Sequence, residues 1–469
     1  MRNNQYRSLP FLLAGLLFFA ACKKDKDLIA VSPPPNPAGG SGGSVTTSPL
    51  LFKDSVLLFT KDIYLWNTQI PADFNAQSYA DPAAIMTGIR PYSMEPGFSS
   101  AVDKWSFAMK KTEWDQISGG LGTLSTTTGA GDFGLSVFFK AEGDLRVRLV
   151  EPYAPAGQAG IRRSWRITSI NGNSNMTTAN AEFIVNAVYK SSNSSFTFQK
   201  PDGNSVTMSL SAGHYAEKQV YLDTVYNIGG KKIGYLVFNS FLGNTNNISS
   251  EFQRVFSRFA SEQVTEVVVD LRYNGGGYVS LAEQLGNYLV KSAASGSLMM
   301  KQMYNSQNAQ NNETINFHKA GSLNLDDIYF IVGKGTASAS ELLINNLKPY
   351  MDVKLIGPTA THGKPVGFFP IPVGDWYIFP VSFRTVNKNG EGNYFNGIPV
   401  NAAVADGLDK DWGDPNEASL ASAFRNITSG NYRTNNNEAP YQQSGAVTLG
   451  NEKLDAPLLK IAIGKSKGF

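Results

Sequence analysis

The spacing of apolar positions changes character three times along this chain. From Ser48 to about Gln116, Leu50, Leu51, Val56, Leu57, Phe59, Ile63 and Trp66 recur near helical spacing, and Pro71 and Pro82 mark later turns. This predicts a small helical domain over 48–116, with Tyr64 and Trp66 in its core. From 117 to 212 the runs are short and extended: Leu135–Phe139, Leu145–Val150 and Trp165–Ile170, separated by glycine-rich turns. That stretch predicts a β-rich domain. From about Tyr221 buried-strand runs alternate with helical stripes. The strands are Lys232–Phe238, Val264–Val269, Ile328–Val332 and Lys354–Gly357. Between them lie the stripes Phe252/Val255/Phe256/Phe259 and Leu281/Leu285/Tyr288/Leu289. Such alternation implies a mostly parallel sheet that binds ligands at the carboxyl ends of its strands. Aromatic, proline-rich hairpins follow from Val366 to Val386, with a turn at Gly374-Asp375.

The two ends read differently. Residues 1–22 carry Arg2 and Arg7, then an apolar run, Leu9–Ala21, too short to span a bilayer. Phe19-Ala-Ala-Cys22 resembles a bacterial lipobox, with Phe19 where leucine is usual. The resemblance implies lipidation of Cys22 and an outer-membrane anchor, periplasmic or surface-exposed. Lys23-Lys-Asp-Lys-Asp27 also resembles the charged export tags of some surface lipoproteins. Residues 23–47, which include Ser32-Pro-Pro-Pro-Asn-Pro-Ala-Gly-Gly-Ser-Gly-Gly43, cannot bury a core and read as a flexible linker. Past Trp412 the pattern fades. An amphipathic stretch, Leu420–Phe424, and a final apolar segment, Leu454–Ile463, lie in an extension over 413–469 with no assigned role.

Composition narrows the chemistry. The chain has 469 residues, 42% hydrophobic and 17% charged, with a net charge of +3. Its basic residues are scattered, which argues against nucleic acid. Cys22 is the sole cysteine, so no internal disulfide or cysteine-based metal site can form. No metal or other cofactor is expected.

Two stretches lie at the expected strand ends: Asp270-Leu-Arg-Tyr-Asn-Gly-Gly-Gly277 and Gly335-Thr-Ala-Ser-Ala-Ser-Glu341. The second joins a buried strand to a helix. A serine there sits among unpaired N–H groups at the positive end of the helix dipole, where an oxyanion is stabilised. Taken alone, the commoner role of Ser338 or Ser340 there is simply to cap the helix. His214, His318 and His362 have no evident carboxylate partner, and His362 reads as a loop residue.

In this order, with Ile356-Gly357 and Gly363-Lys364, these motifs resemble the C-terminal processing peptidases, also called tail-specific proteases. Ala154-Pro-Ala-Gly-Gln-Ala-Gly-Ile161, followed by Trp165-Arg-Ile-Thr-Ser-Ile-Asn-Gly172, is similar to the PDZ domain of such proteases, with Ser164-Trp165 replacing the usual Gly-Asp. The resemblance covers most of 50–410. It implies an α/β fold: a peptidase core over 213–412 with a mostly parallel sheet and β-hairpins, a PDZ-like domain over 117–212 and the helical domain over 48–116.

It also implies a serine endopeptidase acting on protein or peptide substrates. Ser338 would be the nucleophile and Lys364 the general base, neutral through burial near Val366, Phe368 and Phe369. Ala339 and Gly276 would supply the oxyanion N–H groups, while Asp270 and Arg272 order the turn. Asp132, Phe133 and Gly134 would capture a substrate's C-terminal carboxylate. Ser340 and Glu341 keep the helix-capping role. Many family members carry glutamine four residues after the lysine; Phe368 stands there. The loop before Lys364 is one residue longer than usual. Both departures keep open an alternative, a catalytically silent peptidase-like lipoprotein that binds peptides. A Ser-x-x-Lys hydrolase is disfavoured, since position 341 is Glu.

Overall fold

The computed structural model of the protein describes residues 49–119, 121–122, 131–433 and 444–455. The proposed signal segment, Cys22 and the linker over 23–47 lie outside the described residues.

The N-terminal segment opens with α1 (Pro49–Ile63) and α2 (Pro82–Ile89). Pro82, expected to mark a turn, opens a helix. It occupies the first turn of α2, where its missing N–H costs nothing, and Asp81 caps that helix by accepting from Ala84 N at 2.8 Å. Nor is this segment a self-contained helical domain. Its strand Phe107–Lys110 pairs antiparallel with Trp376–Phe379, and Val56, Trp66, Ile85 and Ile89 share one core with Val366, Phe368, Ile378 and Phe379.

The β-rich domain is a five-stranded antiparallel sheet. In chain order its strands are β1 (Leu135–Ala141), β2 (Asp144–Val150), β3 (Arg166–Ile170), β4 (Asn193–Gln199) and β5 (Ser205–Ser211). The short helix α3 (Ala181–Val185) lies between β3 and β4 and packs into the same core. Ser164, at the Gly-Asp position of the family pattern, sits at φ +77°, a conformation easier for glycine. The sheet order places β1 at an edge.

The core sheet runs β13 (Ala402–Ala403), β11 (Asp352–Gly357), β10 (Asp327–Ile331), β8 (Glu266–Asp270), β7 (Lys231–Phe238), β6 (Val220–Ile228). All neighbours are parallel except β6, which joins β7 through a hairpin. A second sheet, built on β9 (Leu298–Tyr304) and β12 (Phe383–Val386), includes Val366–Gly367 just beyond Lys364.

Side chains of the central strands alternate between two apolar layers, so both faces must be covered. Val267, Val269 and Phe330 face α4 (Thr245–Ser261), α5 (Val279–Leu289) and α6 (Ala339–Leu347). Val268, Tyr329 and Ile331 face Leu420, Ala423 and Phe424 of α7 (Ala418–Ser429). The core therefore does not stop at 412, because α7 closes the second face of its sheet. The chain's last described element, α8 (Gly445–Asp455), packs on the β-rich domain.

Candidate active site

Strand β10 ends at Ile331, and the chain turns through Gly333–Ala337 into α6. Ser338 stands at the helix N-cap with φ +53° and ψ −112°, a strained conformation for a residue with a Cβ. The surroundings hold it there. Ala337 N donates to Asn274 O at 3.1 Å, Ser340 Oγ donates to the same oxygen at 3.0 Å, and Thr336 Oγ1 donates to Leu271 O at 2.8 Å. The two sequence motifs are thus stitched together, β8's exit loop against β10's.

Ser338 N donates to Glu341 Oε2 at 2.9 Å. The same carboxylate accepts Lys364 N at 2.8 Å, Gly363 N at 2.6 Å and the Thr361 hydroxyl at 2.6 Å. Burial pushes the Glu341 carboxyl above its ordinary range, and these donors work against that rise. Glu341 does more than begin a helix: it joins the serine turn to the lysine loop. Its spacing from Ser338 is that of a capping box, and this signal could have pointed to it.

Lys364 is buried, 2% exposed. Its Nζ lies 3.7 Å from the Phe368 ring centroid. Burial holds the amine well below the ordinary lysine range, and Asp103 and Glu341 pull it part of the way back. Asp103 comes from the N-terminal segment. It is fixed by Ser106 Oγ at 2.5 Å and by the Tyr64 hydroxyl at 2.9 Å, and its role had no sequence signal. Phe368 occupies the position where glutamine was expected, so an aromatic face packs against the lysine in place of a polar orienting group. Ser338, Lys364, Val279, Gly367 and Tyr394 line one narrow cleft of about 10 Å³, room for about one water molecule.

Ala339 opens α6, where a backbone N–H has no intrahelical partner. Gly276 lies against the turn at φ +99°, and a Cβ there would come within 2.9 Å of Ala339 N and 3.0 Å of Ser338 Cβ. Only glycine fits this contact. Its N–H, however, donates to Asn274 Oδ1 at 2.9 Å, so in this state it is engaged. Arg272 pairs with Asp270 at 2.7 Å and with Glu417 at 2.9 Å, which fits turn ordering. His362 Nε2 accepts Trp105 Nε1 at 3.2 Å, a link between loops.

The expected carboxylate-capturing loop is built otherwise. Asp132 N donates to Gly213 O at 3.2 Å, and Gly134 N donates to Asp132 Oδ1 at 2.6 Å. Tyr215 OH also donates to Asp132, at 2.8 Å. Asp132, Phe133 and Gly134 are all buried. In this state the loop's own carboxylate engages Gly134 N.

Among the described residues no His/Cys/Asp/Glu group is arranged to hold a metal ion.

The chain is similar to known proteins. Residues 232–403 match the model of peptidase family S41. Carboxy-terminal processing protease CtpB of Bacillus subtilis is 25% identical over 315 residues, covering 65% of this chain and 61% of that protein. A CtpA-like serine protease of Staphylococcus aureus is 26% identical over 246 residues, covering 50% of this chain and 45% of that protein. The chain thus aligns with less than two thirds of the length of either relative. A crystal structure assigned as an S41 protease from Bacteroides fragilis shares the fold, with a TM-score of 0.65 at 21% identity, over 80% of this chain and 97% of that one.

Proposed function

We propose that this chain, which carries a peptidase family S41 domain, is a serine endopeptidase that cleaves protein or peptide substrates with a Ser338/Lys364 dyad. One observation carries the reading. A buried lysine, its amine held well below the ordinary lysine range, shares a cleft with a serine at a strained helix N-terminus. A hydroxyl needs a base to attack an amide, and a lysine can serve only as the free amine.

In this reading Ser338 Oγ attacks the scissile carbonyl carbon as Lys364 Nζ takes its proton. The oxyanion forms beside the N–H of Ala339 and that of Gly276, once Gly276 exchanges Asn274 for the developing charge. The lysine then protonates the leaving amine, and water releases the acyl group by the reverse sequence. The Phe368 substitution favours the silent alternative less than the depressed amine favours catalysis.

The PDZ-like domain recruits substrate in this reading, through its edge strand β1. To hold a terminal carboxylate, the Asp132–Gly134 loop would have to release the bonds now made by Asp132 N and Gly134 N. Cys22 anchors the protein to the outer membrane as a lipoprotein; radiolabelled palmitate should enter the chain and be absent from Cys22→Ala.

The activity is tested with β-casein, an unfolded substrate. The chain should degrade it, and Ser338→Ala and Lys364→Ala should not. Wild-type rates in Ser338→Ala would remove the assignment.

A further inference from the structure

Strand β1 is the edge of its sheet, and an edge strand presents unpaired N–H and C=O groups. Here three of them are taken. Val137 N donates to the Tyr189 hydroxyl at 3.0 Å. Phe139 N donates to Asn451 Oδ1 at 2.7 Å, and Asn451 Nδ2 donates to Phe139 O at 3.0 Å. The amide of Asn451 thus reproduces both hydrogen bonds that an added peptide strand would make at Phe139.

Asn451 belongs to α8, which lies against β1 and α3. Val447 and Leu454 are buried in the apolar core of the PDZ-like domain, beside Phe139, Ile184 and Val188. Gly450 meets Thr178 and Phe139 so closely that an added Cβ would lie 2.7 Å from Thr178 Cγ2. Val447, Gly450, Asn451 and Leu454 fall at i, i+3, i+4 and i+7, the anchor spacing of a helix laid in a groove. At the end of the helix, Asp455 pairs with Arg148 of β2 at 2.8 Å.

We propose that α8 is a resident ligand of the peptide-binding groove between β1 and α3, and that an extended, apolar substrate segment binds by displacing it. The proposal rests on the recruiting role given above to the PDZ-like domain. Covalent attachment makes α8 an intramolecular competitor, so substrate must overcome its effective concentration as well as its contacts. The groove then discriminates against short or weakly apolar peptides.

The test uses the full chain. In a Ser338→Ala background, saturating β-casein should lower hydrogen-exchange protection of 444–455 at least tenfold and leave 135–141 protected by the incoming strand. Gly450→Ala and Asn451→Ala should bind casein at least fivefold more tightly. With Ser338 restored, both should lower KM by a similar factor at unchanged kcat. Gly450→Ala forces the helix off by steric contact; Asn451→Ala removes two hydrogen bonds and keeps the packing. The exchange measurement on the unsubstituted helix needs neither variant to fold. If casein alters exchange at 135–141 and leaves 444–455 unchanged, the groove reading stands and displacement is overturned. If casein is cleaved and neither segment responds, the recruiting role fails, and this proposal with it.

Discussion

The carboxylate of Glu341 accepts the backbone N–H of Lys364 at 2.8 Å while also accepting that of Ser338 at 2.9 Å. One buried acid therefore fixes the main chain at both members of the proposed dyad, and Glu341 acts as a positioning residue. Replacing it with alanine leaves donors at Ser338, Thr361, Gly363 and Lys364 unsatisfied, at about 1–3 kcal/mol each before water enters. Glu341→Gln is the sharper variant, since it keeps the shape and exchanges one acceptor for a donor. We expect a stability loss of about 1–3 kcal/mol by urea unfolding, and a kcat lowered about 100-fold through misplacement of the two groups. Wild-type kcat in Glu341→Gln would show that the dyad is positioned by other contacts.

Ser338 sits at φ +53°, where an L-residue is strained and glycine is not. Ser338→Gly should therefore abolish cleavage and raise stability by about 1 kcal/mol. Ser338→Ala, with the same strain, should abolish cleavage without the gain. The comparison uses paired denaturant curves. Equal stability of the glycine and alanine variants would mean that the turn is not strained in solution.

Much of this was legible in the sequence, for reasons that can be named. The strands β7, β8 and β10 carry continuous apolar runs because both of their faces are buried, and the loops after β8 and β10 carry the glycines and serines that close approach demands. What escaped involves partners far apart in the chain. Asp103 acts on Lys364 from a separate segment, and only tertiary packing brings them together. Glu417 reaches Arg272 across 145 positions. Nor does glycine spacing in the Asp132 loop tell that Gly134 N is engaged by Asp132 in this state. The packing of the N-terminal segment against Trp376–Phe379 was likewise hidden, because an apolar helix face does not reveal which hairpin covers it.

If Lys364 is the base, the rate should rise with pH through its lowered pKa and level off well below the ordinary lysine value of 10.5. Lys364→Arg, which cannot lose its proton, should be inactive. Phe368 tests the cause. Its ring attracts an ammonium by about 0.5–2 kcal/mol, whereas its bulk excludes water, and desolvation can shift a buried lysine by about 3–5 units. Desolvation wins. Phe368→Gln should move the pH–rate midpoint toward alkaline values, and Phe368→Leu, which stays dry without a π face, toward acid. Opposite shifts in the two variants are the signature; coincident profiles would place the titrating group elsewhere.

The acidic groups behind the Asp132 loop should make the PDZ-like domain sensitive to pH. Glu151 is fully buried and accepts Lys218 N at 3.2 Å and the Tyr221 hydroxyl. Burial, and then the charge of Glu217, push its carboxyl up to about 8. Burial, and then Asp132, push Glu217 up to about 7, although its side chain keeps some solvent contact and so should contribute less. Both values lie above the ordinary 4.5. Between pH 4.5 and about 7–8 the native state therefore holds more protons than the unfolded chain, and stability must fall as pH rises through that window. Unfolding followed by tryptophan fluorescence should give a lower stability at pH 8.5 than at pH 5.5, by on the order of 2 kcal/mol. Glu151→Gln is neutral at both pH values and should remove most of that difference. An unchanged difference in the variant would mean that Glu151 is already ionised at pH 5.5, with the Tyr221 and Lys218 donors outweighing its burial.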